Sequence, residues 1–115
     1  MKKINLTITG CMGRMGRQLI KSSKLDKNFK LSGLTETKKI NKKINGIKVE
    51  INSENVIKNS DVIVDFTTPK CTLDILKIAL RCKKKVVIGT TGFSKREESL
   101  IKKVGKIKND PNRKP

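Results

Sequence analysis

A glycine-rich segment near the start of the chain has the spacing of a phosphate-binding turn. Gly10, Gly13 and Gly16 form a G-x-x-G-x-x-G pattern between an expected strand and an expected helix. Such glycines let the backbone approach a pyrophosphate, which then meets the N–H groups at the amino terminus of the helix. Arg14 lies at the start of that helix, placed to pair with a phosphate or, alternatively, solvated. The segment favours dinucleotide binding over three turn glycines without a ligand.

An acidic residue follows at the distance that such a site requires. Glu36 lies twenty residues after Gly16, at the expected end of the second strand, where a carboxylate can accept hydrogen bonds from the adenosine ribose. A carboxylate favours the free 2′-hydroxyl of NADH, whereas the neighbouring Lys38 and Lys39 could hold the 2′-phosphate of NADPH. The residues therefore leave NADH and NADPH both open.

Three further residues or segments carry groups that could do chemistry. Residues 89–92, Gly-Thr-Thr-Gly, could present hydroxyls and backbone groups to a nicotinamide ring or form only a tight turn. Asp65 is interpreted as a residue that caps the next helix rather than as a catalytic carboxylate. Cys11 lies near a helix amino terminus, which predicts a lowered thiol pKa. We nevertheless interpret Cys11 as a packing residue rather than a nucleophile.

Strands and helices alternate along the chain and would bring these residues to one edge of a sheet. Hydrophobic periodicity predicts strands over 4–9, 29–35, 47–51, 61–66 and 86–88, the fourth buried on both faces. It predicts one helix that ends near residues 24–26 and a second that runs from a cap at Asn52 or Ser53 to Lys58. A third helix is predicted to begin after Pro69 and a fourth after Ser94. The expected apolar positions of the third helix are Leu73, Leu76, Ile78, Ala79 and Leu80. The last helix is expected to begin with a capping box that pairs Ser94 with Glu97. Its expected apolar positions are Leu100, Ile101 and Val104.

This alternation predicts an α/β fold: a Rossmann-like, doubly wound parallel sheet in a single domain. The domain is expected over residues 1–105, and residues 37–46 are expected to be a solvated loop. Residues 106–115 are basic, contain prolines and show no periodicity, which predicts a disordered tail.

Composition excludes several classes of protein. The chain has 115 residues, no histidine and three widely spaced cysteines, which excludes the usual Cys/His zinc sites and a disulfide framework. We expect no metal site and a reduced, cytoplasmic protein. No apolar stretch approaches the ~18 residues of a membrane span, so no membrane association is expected.

The net charge of +18 raises nucleic-acid binding as an alternative. The cations are mostly scattered lysines, however, and aromatic residues make up only 3% of the chain, too few for a base-stacking surface. The abundance of Lys, Ile and Asn is typical of a genome rich in AT codons. We therefore expect no specific nucleic-acid partner.

Three segments together resemble one family. Residues 10–17 (GCMGRMGR), 61–67 (DVIVDFT) and 87–93 (VIGTTGF) are similar to the amino-terminal domain of the 4-hydroxy-tetrahydrodipicolinate (dihydrodipicolinate) reductases of lysine and diaminopimelate biosynthesis. The resemblance covers residues 3–104. It implies a Rossmann-type domain that binds NADPH or NADH, in a family that reduces a cyclic imine-type dicarboxylate by hydride transfer. Thr37 stands where many members have a basic residue, which leaves phosphate selectivity open.

The resemblance also implies a role for each candidate residue. The pyrophosphate loop would comprise Gly10, Cys11, Met12, Gly13, Arg14 and Met15; Glu36 would bind ribose; and Gly89, Thr90 and Thr91 would lie beside the nicotinamide.

Part of the family pattern is missing. The family's His-His-x-x-Lys and Ser-Gly-Thr segments, which belong to its substrate domain, do not occur in this chain. We therefore expect no catalytic residue here, cofactor binding without turnover, and loss of the contacts that build the family homotetramer. A noncatalytic NAD(P)-binding module and a basic nucleic-acid-binding protein remain the alternatives.

Overall fold

A computed structural model describes residues 3–89, 94–96 and 99. Strands and helices alternate as the sequence predicts, apart from one additional short strand, β3. The elements are β1 Ile4–Thr9, α1 Arg14–Leu25, β2 Phe29–Glu36, β3 Lys43–Ile44, β4 Ile47–Ile51, α2 Glu54–Lys58, β5 Val62–Asp65, α3 Pro69–Cys82 and β6 Lys85–Ile88.

The strands form one sheet in the order β3-β4-β2-β1-β5-β6. β1 pairs in parallel with β2 on one side and with β5 on the other, and β2–β4 and β5–β6 are also parallel. From β1 the chain therefore adds β2, β4 and β3 on one side of the sheet, and it then crosses back to add β5 and β6 on the other side. This confirms the doubly wound α/β fold, in which ligands bind outside the carboxyl ends of the strands where the winding reverses.

Hydrophobic residues cover both faces of the sheet. On one face Ile8, Leu34 and Val49 pack with Ile20 of α1. On the other face Ile63 packs with Ile57 of α2 and with Ile75 and Ala79 of α3. β5 therefore contributes to both layers. Its burial is complete only on the face of Ile63 and Asp65, whereas Val62 and Val64, on the other face, are partly buried.

The segment from 37 to 46 contains a strand that the sequence analysis missed. β3 pairs antiparallel with β4, Lys43 opposite Lys48 and Ile44 opposite Ile47. The two strands are joined by Asn45 and Gly46, whose φ angles of 53° and 79° are those of a tight hairpin turn. Asn-Gly is the sequence signal for this turn, but a two-residue strand offers no alternation to detect.

The buried side of α3 differs from the prediction. The fully buried residues are Cys71, Thr72, Ile75 and Ala79, whereas Leu73, Leu76 and Leu80 are only partly buried. Cys71, Ile75 and Ala79 repeat every four residues and so lie on one stripe of the helix. The prediction was correct for Ala79, but it missed Cys71, Thr72 and Ile75 because it followed the leucines.

The structure identifies the residues that cap the amino termini of α2 and α3. Ser53 is the amino-terminal cap residue of α2. Thr68 caps α3, with Oγ1 accepting a hydrogen bond from the N–H of Cys71 at 3.3 Å, so the cap role expected for Asp65 is wrong. Ser94 precedes helical residues 95 and 96, while Glu97, Leu100, Ile101, Val104 and the predicted tail at 106–115 lie outside the described residues.

Within the described part of the chain, no helix is long and apolar enough to cross a membrane.

Candidate functional site

The carboxyl ends of β1, β5 and β6 meet at one point. The glycine turn follows β1, Phe66 follows β5 and Gly89 follows β6. A side chain on Gly10 would collide with the carbonyl oxygen of Phe66, and one on Gly89 would collide with the Phe66 ring. The N–H of Gly89 also donates to the carbonyl oxygen of Asp65 at 2.8 Å. The three loops therefore approach more closely than any residue except glycine allows at these two positions.

The three glycines of the turn have different roles. Gly10 adopts a φ of 65°, in the left-handed region that favours glycine. A Cβ on Gly16 would lie 2.7 Å from Cα of Cys11, so Gly16 allows α1 to pack against the turn. A Cβ on Gly13 would meet only the carbonyl oxygen of Gly10, at 3.3 Å. Gly10 and Gly16 thus shape the protein, while Gly13 leaves its outer side open to a ligand.

The amino terminus of α1 offers hydrogen-bond donors at the same place. The first helical hydrogen bond runs from the N–H of Arg17 to the carbonyl oxygen of Gly13, at 3.0 Å. The helix itself therefore supplies no acceptor for the N–H groups of Arg14, Met15 and Gly16. Together with the positive end of the helix dipole, these donors make a surface suited to a phosphate. Arg14 is exposed there.

Glu36 is held beside this surface by the glycine turn. Its Oε2 accepts a hydrogen bond from the N–H of Met12 at 2.7 Å, and the side chain is partly buried. A carboxylate has about four acceptor positions, so this bond leaves capacity for the hydroxyls of a ribose. Glu36 is the last residue of β2 and Met12 lies in the turn after β1, so the carboxylate lies where the two strands end next to each other.

Cys11 lies beneath the turn rather than at the helix end. Its side chain is fully buried, and its N–H donates to the carbonyl oxygen of Thr35 at 3.2 Å. Burial, assisted by the negative charge of Glu36 and opposed by Lys42, raises the pKa of the Cys11 thiol from 9.0 to about 11. The predicted lowering by the helix terminus was wrong, and the burial supports the interpretation of Cys11 as a packing residue.

Asp65 organises the end of β5 from inside the protein. The carboxylate is fully buried; Oδ1 accepts hydrogen bonds from the hydroxyls of Thr9 at 2.6 Å and Thr67 at 2.7 Å, and Oδ2 accepts one from Thr72. The three threonines come from β1, from the loop after β5 and from α3. A carboxylate enclosed in this way is a structural group, as the sequence analysis preferred.

Sequence reasoning assigned no role in the site to several residues that the structure places there. Thr9, Phe66 and Thr67 meet Gly10, Asp65 or Gly89 at the strand ends. Asn52 links β2 to α3, because its Oδ1 accepts from the Thr35 hydroxyl at 2.5 Å and its Nδ2 donates to Sγ of Cys71 at 3.1 Å. Burial and the nearby acids raise the pKa of Cys71. The available signal was position: Thr9 ends β1, and Phe66, Thr67 and Asn52 lie within two residues after a strand.

Two predicted residues lie outside the described part of the chain. Gly89 is described, but Thr90 and Thr91 are not. Among the described residues, no group of three or more His, Cys, Asp or Glu side chains could hold a metal ion.

Comparison with known proteins assigns the chain to a family. The family described as dihydrodipicolinate reductase, N-terminus, matches residues 4–109. The chain belongs to the dihydrodipicolinate reductase family. The matched range includes the glycine turn, Glu36 and the loop that begins at Gly89, and the fold agrees with the expected dinucleotide-binding domain.

Individual members of the dihydrodipicolinate reductase family give the same assignment. The chain is 68% identical, over 106 residues, to the 4-hydroxy-tetrahydrodipicolinate reductase of Pelagibacter ubique, covering 92% of this chain and 41% of that protein. It is 45% identical to the enzyme of the same name from Buchnera aphidicola, covering 88% of this chain and 42% of that protein. The chain therefore spans about two fifths of the length of these relatives.

A solved structure agrees at the level of the fold. A dipicolinate-bound dihydrodipicolinate reductase from Paenisporosarcina sp. TG-14 superposes with a TM-score of 0.77 and 24% identity, covering 93% of this chain and 44% of that one.

Proposed function

We propose that this chain binds NADH or NADPH as the nucleotide-binding domain of a 4-hydroxy-tetrahydrodipicolinate reductase of lysine and diaminopimelate biosynthesis. The observation that carries the proposal is the Glu36–Met12 hydrogen bond, which holds a carboxylate next to the open amino terminus of α1. A dinucleotide carries a ribose next to its pyrophosphate, so one molecule would contact both groups. The family membership of the chain supports the same function.

Each part of the site has a proposed role in binding. The N–H groups of Arg14, Met15 and Gly16 and the Arg14 guanidinium bind the pyrophosphate, which passes over Gly13. Glu36 accepts hydrogen bonds from the adenosine ribose. The loop of Gly89, Thr90 and Thr91 holds the nicotinamide end. Bound NAD(P)H supplies the hydride, and the residues of this chain bind and orient it.

The substrate contacts and the proton donor are proposed to belong to the part of the relatives that this chain does not match. The chain spans 41% of the Pelagibacter protein. We therefore propose that the 115 residues alone bind the dinucleotide without turnover, and that the contacts of the family homotetramer also lie mainly outside them. A cytoplasmic location follows from the same biosynthetic role.

Substitution of Gly13 by valine tests the proposal. The backbone of Gly13 is extended, with φ −74° and ψ 170°, and a Cβ there meets only one atom, so Gly13→Val should fold. The valine side chain would occupy the space over which the pyrophosphate passes. We expect the Kd for NADH and for NADPH, measured by nicotinamide fluorescence, to rise at least about a hundredfold. The valine side chain and the pyrophosphate would overlap, and the overlap cannot be relieved without moving the phosphate.

Gln18→Val, an exposed position in the same helix, is the matched control and should bind like the wild type. Circular dichroism of both variants reports their folding. Unchanged affinity in a folded Gly13→Val protein would contradict the proposed site.

A further inference from the structure

A groove beside the candidate site is lined by cations. It has a volume of about 460 Å³ and lies between α1 and the β3–β4 hairpin. Met12 lines it together with the charged residues Arg17, Lys21, Lys24, Lys42 and Lys43. None of the described residues that line it is acidic. The groove is therefore a concave surface of one sign of charge, which attracts anions.

The groove adjoins the proposed ribose-binding part of the site. Met12, which lines the groove, donates its N–H to Oε2 of Glu36 at 2.7 Å. A ribose bound to Glu36 would therefore place its 2′ substituent near the Met12 side of the groove. Another cavity, of about 310 Å³, lies by contrast at the amino ends of β1 and β2 and includes Asp26, so it has neither the position nor the charge for this role.

The backbone of Lys42 is fixed by two hydrogen bonds. Its N–H donates to the carbonyl oxygen of Ile40 at 3.1 Å, and its carbonyl oxygen accepts from the N–H of Val49, in the core strand β4, at 2.9 Å. Lys42 and Arg17 line the same groove as Met12, the residue that holds the Glu36 carboxylate.

The electrostatics of the site require such a cation if NADPH is bound. A 2′-phosphate carries a charge of about −1.5 to −2 at neutral pH and would be repelled by the carboxylate of Glu36. Lys38 and Lys39, which the sequence analysis considered for this role, are exposed and do not line the groove. The cations that do are supplied by the hairpin and by α1.

We propose that Lys42 and Arg17 bind the 2′-phosphate of NADPH in this groove, so that cofactor selectivity comes from α1 and from the segment that leads into the β3–β4 hairpin. The inference rests on the proposed function, since it requires that a dinucleotide binds with its ribose at Glu36. It places one basic contact six residues after the acid, directly before β3, whereas Thr37, directly after the acid, supplies none.

Titrations of the full chain with NADPH and NADH test the inference. Lys42→Gln should raise the Kd for NADPH about tenfold and the double variant with Arg17→Gln about a hundredfold, because each removes one charge-assisted contact. The Kd for NADH should change less than about twofold, because NADH has no 2′-phosphate. Lys48→Gln, an exposed position on β4 outside the groove, should leave both constants unchanged.

The outcomes separate the two proposals. A wild type that binds neither dinucleotide contradicts the proposed function and the inference with it. Binding of both dinucleotides that is unaffected by Lys42→Gln and Arg17→Gln, or that they weaken equally for NADH and NADPH, overturns the inference alone. If instead a Lys38→Gln, Lys39→Gln double variant selectively lost NADPH binding, the 2′-phosphate would be assigned to the loop after Glu36. That result would also overturn the inference.

Discussion

The carboxylate of Glu36 and the backbone of Met12 are joined by a hydrogen bond of 2.7 Å across 24 residues of sequence. The bond closes the end of β2 onto the turn that follows β1. It also fixes the direction of the carboxylate before any ribose arrives. The acid and the glycine turn, which are two separate motifs in the sequence, therefore form one unit in the folded protein.

Replacing Glu36 by glutamine should shift the cofactor preference toward NADPH. The glutamine carbonyl can still accept from the N–H of Met12, but the charge that strengthens bonds to ribose hydroxyls and repels a 2′-phosphate is gone. We expect the Kd for NADH to rise about tenfold, the value for one charge-assisted hydrogen bond, and that for NADPH to stay constant or fall. Parallel fluorescence titrations of the two dinucleotides measure the ratio.

Glu50→Gln is the control, since Glu50 is exposed on the neighbouring strand β4. An equal change in both constants for Glu36→Gln would show that Glu36 does not distinguish the two ribose substituents.

Gly16 should matter for stability and Gly13 should not. A Cβ on Gly16 would overlap the backbone of Gly10 and Cys11, whereas a Cβ on Gly13 has one neighbour at 3.3 Å. We expect Gly16→Ala to lower the free energy of unfolding by about 1–3 kcal/mol and Gly13→Ala to change it by less than about 0.5 kcal/mol. Urea denaturation followed by circular dichroism measures both. Equal stability of the two variants would mean that α1 does not pack on the turn as described.

Removing the Asp65 carboxylate should destabilise the carboxyl edge of the sheet. Asp65→Ala deletes the acceptor of the Thr9, Thr67 and Thr72 hydroxyls, and we expect a loss of about 3 kcal/mol in the free energy of unfolding. Asp65→Asn keeps one carbonyl acceptor and should lose about half as much. Thermal and urea unfolding provide the test, with Asp74→Ala, an exposed position of α3, as the control. A loss of unfolding free energy no greater than that of the control would contradict the structural role of Asp65.

The Cys11 thiol should make stability fall at alkaline pH. Its pKa is about 11 in the folded protein against 9.0 ordinarily, so between these values the unfolded chain releases the proton and the folded chain keeps it. The unfolded state then binds fewer protons, and the free energy of unfolding decreases as pH rises, by up to about 1.4 kcal/mol per pH unit.

Urea unfolding at several pH values from 8 to 11 measures this slope. Cys11→Ala lacks the thiol, so the difference between its slope and that of the wild type isolates the contribution of Cys11. Parallel curves for the two proteins would contradict the raised pKa.

The fold and the position of the candidate site were predictable because they depend on local patterns. Alternation in Ile4–Thr9, the glycine spacing and the apolar run around Ile63 each predict one element, and the order of the elements fixes a parallel sheet. The site follows from the fold, because the strands of such a sheet present their carboxyl ends at one edge.

Contacts between distant residues were not predictable in the same way. Asp65 meets Thr9 across 56 residues, and no local pattern distinguishes a carboxylate enclosed by hydroxyls from one that caps a helix. Whether Cys11 faces the helix end or the core depends on the path of the turn after Gly10. The cationic groove requires the β3–β4 hairpin to fold back beside α1, and a two-residue strand gives no signal of that.

Calorimetric titration of NADH and then NADPH into the 115-residue chain, at an ionic strength of about 0.15 M, tests the central claim most directly. The account predicts saturable one-to-one binding, without oxidation of the dinucleotide when 4-hydroxy-tetrahydrodipicolinate is added. The absence of binding by a chain whose circular dichroism shows it to be folded would contradict the claim that these residues form a nucleotide-binding domain.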